Sequence, residues 1–344
     1  MNFISDNQST VFPEIIDYLQ YINKNSVDSY GNDPITIKAN KLLSDLFESK
    51  ICIRYVSSGT AANAISLSSI CPPYGGILCS EHAHLDKDEC GAPEFFSGGA
   101  KLIPMNSKNG LIAPTNLNKT LKNYGLHGIH EIKISTLSLT QASELGTVYK
   151  VEQIRELTKI ARENTLNIHM DGARFANACE FLNISPAEIT WKSGIDILSL
   201  GATKNGAIAC EIIIVFNKKI IDDIDRRQKR AGHLWSKNRY MAAQIIKWIE
   251  NNNWLKAAKH SNKMAKSVKK ILSSIKEIHI PYSVDANIVF AEIPLNIQKY
   301  LLKNNVKFSK WIGSNNLTRF VTSWDTDVNE INEFEKVIKS YRKI

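Results

Sequence analysis

Between residues 46 and 216 the chain alternates short apolar runs of strand length with segments of helical periodicity, and this alternation limits the fold more than any other feature. The runs lie at 51–56, 76–79, 101–103, 131–139, 166–170, 195–200 and 211–216. Between the fifth of these and its predecessor, Val151, Ile154, Leu157, Ile160 and Ala161 recur at helical spacing with charges on the opposite face. Strands alternating with helices predict an α/β fold built on a mostly parallel sheet covered on both faces. The 344-residue length allows a second unit. The Asn251-Asn252-Asn253 stretch and the long lysine-rich helix after it mark its start, dividing the chain into a large domain, 1–250, and a small α+β C-terminal domain, 251–344. In the latter, strands are expected at 287–293, 306–312 and 319–323, and helices at 296–303 and 328–341.

Composition excludes several classes. The longest apolar stretch, around 212–216, is far below the roughly 20 residues of a membrane-spanning helix. The first ten residues lack a basic segment followed by an apolar one, so no signal peptide is expected. The six cysteines form no C-x-x-C pair, which argues against a zinc ribbon or disulfide framework and for reduced, mostly buried thiols in a cytoplasm, with no metal. The net charge of +9 is uneven: residues 1–217 carry 18 basic and 22 acidic side chains, residues 218–344 carry 25 and 12. Lys256, Lys259, Lys263, Lys266 and Lys270 recur at helical steps, with Leu255, Ala258, Val268 and Leu272 available for the other face. That pattern is a solvated helix face, since no aromatic stacking platform accompanies it, and no nucleic-acid partner is expected.

Ligands of open parallel sheets bind beyond the carboxyl ends of the strands. Three polar segments follow strands here. Ser57-Ser58-Gly59-Thr60-Ala61-Ala62-Asn63 leads into an apolar helix, which suits either a plain N-cap or a phosphate cradle. Asp171-Gly172-Ala173-Arg174 places an acid and a base on one turn, either as a structural ion pair or as site residues. Gly201-Ala202-Thr203-Lys204-Asn205-Gly206 puts a lysine between two apolar strands, where it is hard to explain as core. In this order on one sheet, the three supply what pyridoxal 5'-phosphate requires: an amine for its aldehyde, a carboxylate for its ring nitrogen and a helix start for its phosphate.

The sequence resembles the threonine aldolases, fold type I pyridoxal phosphate enzymes within the wider group of β-eliminating lyase-like proteins. The motifs that carry the resemblance are SDN from Ser5, YGND from Tyr30, SSGTAAN from Ser57, HAHLDKDECGAPEFFSGGAKL from His82, ELGTVY from Glu144, DGARFANA from Asp171, GATKNG from Gly201 and RFVTSW from Arg319. They span nearly the whole chain in the family's order.

The resemblance implies a seven-stranded, mostly parallel sheet in the large domain and a small α+β C-terminal domain. It implies that Lys204 binds the cofactor aldehyde, Asp171 pairs with the ring nitrogen, Gly59 and Thr60 hold the phosphate, and His84 stacks on the ring. It further implies that Arg174 and Arg319 address the substrate carboxylate and the cofactor's phenolic oxygen, with Ser5 assisting; guanidinium forks suit a carboxylate. Arg230 would reach the cofactor phosphate of a neighbouring subunit and Tyr30 would cross the same interface, giving a homodimer or homotetramer with shared active sites. His82 is read as structural, and Glu89 as either an acid-base group beside His84 or a helix cap. One departure stands out: where some members have Thr-His-Asn, this chain has Thr140-Gln141-Ala142, so Gln141 replaces the histidine that approaches the substrate hydroxyl.

The implied reaction is cleavage of L-threonine or L-allo-threonine to glycine and acetaldehyde. The rivals are the same site acting on another β-hydroxy amino acid such as a phenylserine, a β-eliminating lyase or transaminase, and a protein acting on nucleic acid through its basic C-terminal part.

Overall fold

A computed structural model describes residues 1–341. All seven expected strands of the large sheet form, each within two residues of the expected bounds: β1 (Cys52–Val56), β2 (Gly75–Ser80), β3 (Lys101–Met105), β4 (Lys133–Thr140), β5 (Asn167–Gly172), β6 (Ile197–Gly201) and β7 (Glu211–Val215). Their order is β1-β7-β6-β5-β4-β2-β3, and only β7 runs against the others. The residues that follow β1, β4, β5 and β6 therefore meet along one edge of the sheet, and Glu211 at the start of β7 joins them. Strands buried on both faces read as continuous apolar runs, which accounts for Ile212, Ile213 and Ile214 in succession, all fully buried.

Two glycines allow the backbone to close up at that edge. A Cβ on Gly201 would lie 2.6 Å from the Ala173 carbonyl oxygen, so only glycine lets the β6 end pack against the loop after β5. Gly206, at φ +103°, has the Phe12 ring where a side chain would go, and its carbonyl accepts the Phe12 N–H at 2.9 Å.

The smaller sheet is antiparallel, β8 (Ile288–Glu292), β9 (Ser309–Lys310) and β10 (Leu317–Val321), in the order β8-β10-β9. The strand expected over 306–312 is thus mostly absent as a partner of β10. Val306 still bonds to the preceding helix (N to Leu301 O, 3.0 Å), and Lys307 pairs with the start of the chain through Lys307 N to Met1 O (3.0 Å) and Phe3 N to Lys307 O (2.9 Å). Helices form at Leu295–Lys303 and Val328–Tyr341, as the periodicity indicates.

The helix Asn253–Leu272 spans two apolar clusters: Trp254, Ala257 and Ala258 pack into the core of the large sheet, Met264, Ala265, Val268 and Leu272 into that of the small one. Its five regularly spaced lysines are all exposed, and Leu255 is half-buried. All six cysteines are free thiols, four of them buried. Among the described residues no helix is long and apolar enough to cross a membrane.

Phe3 fastens the first residues to the small sheet. It is fully buried, 6.0 Å from the Phe320 ring and 5.5 Å from the Phe334 ring, and its carbonyl accepts the Val321 N–H at 2.8 Å. Truncation of a buried Phe costs about 3 to 5 kcal/mol. Phe3→Ala is therefore expected to lower the unfolding free energy by that amount in denaturant titration; a loss under about 1 kcal/mol would show that the segment is not anchored this way.

Candidate active site

The polar edge of the large sheet opens into a cavity of about 250 Å³, lined among others by Ser58, Gly59, Thr60, His84, Asp171 and Lys204. One wall is the start of the helix Gly59–Ile70. Ser58 caps it, its hydroxyl accepting the Ala61 N–H at 3.2 Å. The first N–H groups of a helix have no intrahelical acceptor and attract anions, and a Cβ on Gly59 would meet nothing within 4 Å, so the helix start faces open space.

Asp171 is buried at the end of β5. One carboxylate oxygen accepts from Asn63 Nδ2 (3.0 Å), the other from Ala173 N (3.0 Å). The same Asn63 amide donates to Glu89 Oε1 at 2.8 Å, and Glu89 Oε1 also meets His84 Nδ1 at 2.9 Å. An oxygen facing an amide N–H₂ and an imidazole nitrogen acts as acceptor to both, so His84 carries its proton on Nδ1. This bond is the main reason the His84 ring holds its proton more strongly than usual, against the opposing effect of burial. Lys204 shows the reverse: burial first, then the nearby Arg174 charge, push its amine below the ordinary lysine range. A buried amine that gives up its proton readily is a competent nucleophile. Glu211, buried beside Thr203 and Lys204, is pushed up to about 7 mainly by loss of solvent.

Arg174 does not pair with Asp171, its neighbour on the turn. Its guanidinium forks onto Asp6, with Nε to Oδ2 at 2.7 Å and the second bond at 2.9 Å, and Asn287 Nδ2 also donates to Oδ2 at 3.0 Å. Burial alone would make the Asp6 carboxyl a weaker acid, but Arg174 and Lys204 outweigh it and keep the carboxylate ionised to below its usual range.

The family model for β-eliminating lyases matches residues 2–295. The low specificity L-threonine aldolase of Pseudomonas sp. (strain NCIMB 10558) is 39% identical over 339 residues, which is 98% of this chain and 97% of that one. The chain belongs to the threonine aldolases of the β-eliminating lyase family. The low specificity L-threonine aldolase of Pseudomonas aeruginosa is 37% identical, over 98% of this chain and 96% of its own. Among solved structures, the threonine aldolase of Leishmania major superposes with a TM-score of 0.93 at 24% identity, covering 99% of both chains. Cystalysin of Treponema denticola, described as containing pyridoxal 5'-phosphate, gives 0.73 at 17% identity, over 100% of this chain and 91% of that one. Both share the fold.

In this threonine aldolase family member, Gly59, Thr60, His84, Asp171, Arg174 and Lys204 converge on the cavity. The other four expected residues lie outside its lining. The Ser5 hydroxyl is turned to the Asn7 N–H (3.1 Å), and Asn7 itself reaches the cavity. The Arg319 guanidinium lies 5.8 Å over the Trp311 ring, its buried Nε without a partner among the described residues, within the field of Arg174 and Asp6. Tyr30 is half exposed and Arg230 is exposed. His82, read as structural, lies 4.0 Å from Glu81.

Sequence reasoning assigned no role to Asn63, Glu144, Ser199 or Glu211, all of which line the cavity. Asn63 carried a signal: it is the amide in the stretch Ala61-Ala62-Asn63-Ala64-Ile65 of a helix buried on nearly every side.

His169 lies two residues before Asp171 and is fully buried, with Nδ1 2.8 Å from Ser138 Oγ and Nε2 3.0 Å from Ser199 Oγ. Burial pushes it down to about 4. The unfolded chain binds a proton on this residue below about pH 6.5 while the folded chain does not, so stability falls as pH drops through that window, by about 1.4 kcal/mol per pH unit. Unfolding free energies at pH 7 and pH 5 should differ by about 2 kcal/mol more in wild type than in His169→Gln. An identical pH dependence in the two proteins would mean that the ring takes up its proton in the fold.

Proposed function

We propose that the protein is a pyridoxal phosphate-dependent aldolase that cleaves L-threonine or L-allo-threonine to glycine and acetaldehyde. The observation that carries this reading is the meeting, in one cavity, of a partly buried lysine of weakened basicity, a hydrogen-bonded buried aspartate and an open helix start, in a chain 39% identical over nearly its full length to a low specificity L-threonine aldolase.

The donor set fits the cofactor. Lys204 would hold its aldehyde carbon, Asp171 its ring nitrogen, Gly59 and Thr60 its phosphate, and His84 its ring face. When bound, the cofactor supplies an electron sink for the pair released as the bond between the α and β carbons breaks. The chain's own groups do the rest. Arg319, with a buried unpaired Nε, offers a charged donor for the substrate carboxylate, and Arg174, fixed by Asp6, holds its charge at the same edge. Ser5 assists through the turn that brings Asn7 to the cavity. His84, its Nδ1 proton committed to Glu89, keeps Nε2 free to exchange a proton with substrate or water.

Purified protein should be yellow, form glycine and acetaldehyde from L-threonine stereoisomers, and lose both colour and activity in Lys204→Ala. Borohydride reduction and peptide mapping should place the label on Lys204; a label on another lysine would overturn the assignment. Arg319→Ala should raise KM sharply with cofactor absorbance intact.

The assembly is a two-fold one with shared sites. Lys229 Nζ lies 5.6 Å over the Tyr30 ring and Arg227 donates to the Phe96 carbonyl at 3.4 Å, so the helix that ends in Arg230 touches both the Tyr30 segment and the exposed Phe95-Phe96 pair. Exposed aromatics beside basic residues suit a second copy that brings a phosphate. Lys204→Ala and Arg230→Ala should each be nearly inactive, yet mixed dimers should regain about a quarter of wild-type activity, because half of the dimers then carry one intact site of two. Hybrids that restore nothing would show that Arg230 serves its own chain or no site.

A further inference from the structure

The loop after β4 carries the departure from the Thr-His-Asn pattern, and Gln141 does not act in the histidine's place. Gln141 is fully buried and both ends of its amide are spent on Tyr149, Nε2 donating to the carbonyl at 2.9 Å and Oε1 accepting the N–H at 3.0 Å. What this loop contributes to the cavity instead is Thr140, Ala142 and Glu144. Of these only Glu144 can take and return a proton near neutral pH. Its Oε1 accepts the His84 N–H at 2.8 Å and the Thr140 hydroxyl at 3.1 Å, while Oε2 is buried with no partner among the described residues.

We propose that Glu144 is the acid-base group for the β-hydroxyl of the substrate, a role that rests on the aldolase reading. Oε2 takes the hydroxyl proton, the O–H electron pair becomes the second bond of the aldehyde carbonyl, and the pair of the broken carbon–carbon bond stays with the α carbon. That carbon is then protonated and Glu144 gives up its proton, so none is gained or lost over the cycle.

The surroundings tune this carboxyl for the task. Burial first, and the Asp171 charge from β5 second, push it up to about 7, against the lowering effect of the His84 N–H and the Thr140 hydroxyl. Arg174 from the turn after β5, Tyr149 from the end of the same loop and Cys79 from β2 are the other titratable groups within its field. A proton affinity close to the working pH is the optimum for acid-base catalysis. Glu89, the other carboxyl beside His84, also has a buried Oε2 with no partner among the described residues, but its Oε1 accepts from the His84 ring itself and from Asn63, which makes it the group that orients that ring, whereas Glu144 touches His84 only at its backbone.

Glu144→Gln keeps an acceptor for the His84 N–H and the Thr140 hydroxyl but cannot titrate. In the holoenzyme it should lower kcat for threonine cleavage by about 10²- to 10⁴-fold and abolish the loss of kcat/KM below about pH 7. Exchange of the glycine α-proton with deuterium oxide, which has no hydroxyl to deprotonate, should continue near the wild-type rate. Infrared difference spectra of the protein itself should show a protonated carboxyl titrating near neutral pH in wild type and missing in the variant. Threonine cleavage at the wild-type rate and pH profile in Glu144→Gln would overturn the proposal alone, as would equal loss of cleavage and glycine exchange, which would mark Glu144 as structural. Wild-type protein that exchanges glycine protons but cleaves no threonine stereoisomer would overturn the aldolase reading, and the proposal with it.

Discussion

The bidentate pair between Arg174 and Asp6 joins three parts of the chain that are far apart in sequence. Arg174 belongs to the turn after β5, Asp6 to the first residues, and Asn287, the third partner, stands just before β8. Both charges are largely withdrawn from water. Such a pair adds little net stability over apolar packing, yet loss of either partner leaves a buried charge uncompensated at a cost of about 3 to 5 kcal/mol. Its effect is therefore one of placement. The N-terminal segment, tied on one side by Phe3 and on the other by Phe12 and the Thr10 contacts to Asp325, is held across the mouth of the sheet edge. The Arg174 charge that results is one of the two main reasons Lys204 is a weaker base.

Around that pair the site balances acids against bases in a confined space. Asp171 and Glu89 are tied by Asn63, and His84 is oriented by Glu89 on its ring and by Glu144 on its backbone. Two carboxyls, Glu144 and Glu211, are pushed up to about 7 because burial outweighs the donors they find. His169, squeezed between two serine hydroxyls below Asp171, stays neutral for the same reason. One physical cause, loss of solvent at the sheet edge, thus sets proton affinities in both directions, raising those of acids and lowering those of bases.

The parts of the molecule legible in sequence were those with local signatures. Period and length of apolar runs located all seven strands of the large sheet, and polar residues directly after strands pointed to Gly59, Asp171 and Lys204, because a parallel sheet brings such positions to one edge whatever else the chain does. The lysine face of Asn253–Leu272 was equally legible, since helical spacing alone decides which side chains share a face. By contrast, the pattern at residues 306–312 marks extended backbone without saying what it pairs with: Ser309–Lys310 pairs with β10, while Lys307 pairs with the start of the chain.

Sequence by itself determined the fold class, the family and the kind of chemistry, because these rest on residue types at short spacing and on motif order. Only the tertiary structure decided which charge pairs with which. Arg174 stands three residues from Asp171 yet binds Asp6, and Gln141 occupies a histidine's place in the motif yet turns its amide to Tyr149. The first partner lies on a distant segment and the second at the far end of the same loop; in both cases a buried donor goes to the acceptor that completes its hydrogen bonds, a matter of three-dimensional proximity that spacing along the chain does not encode.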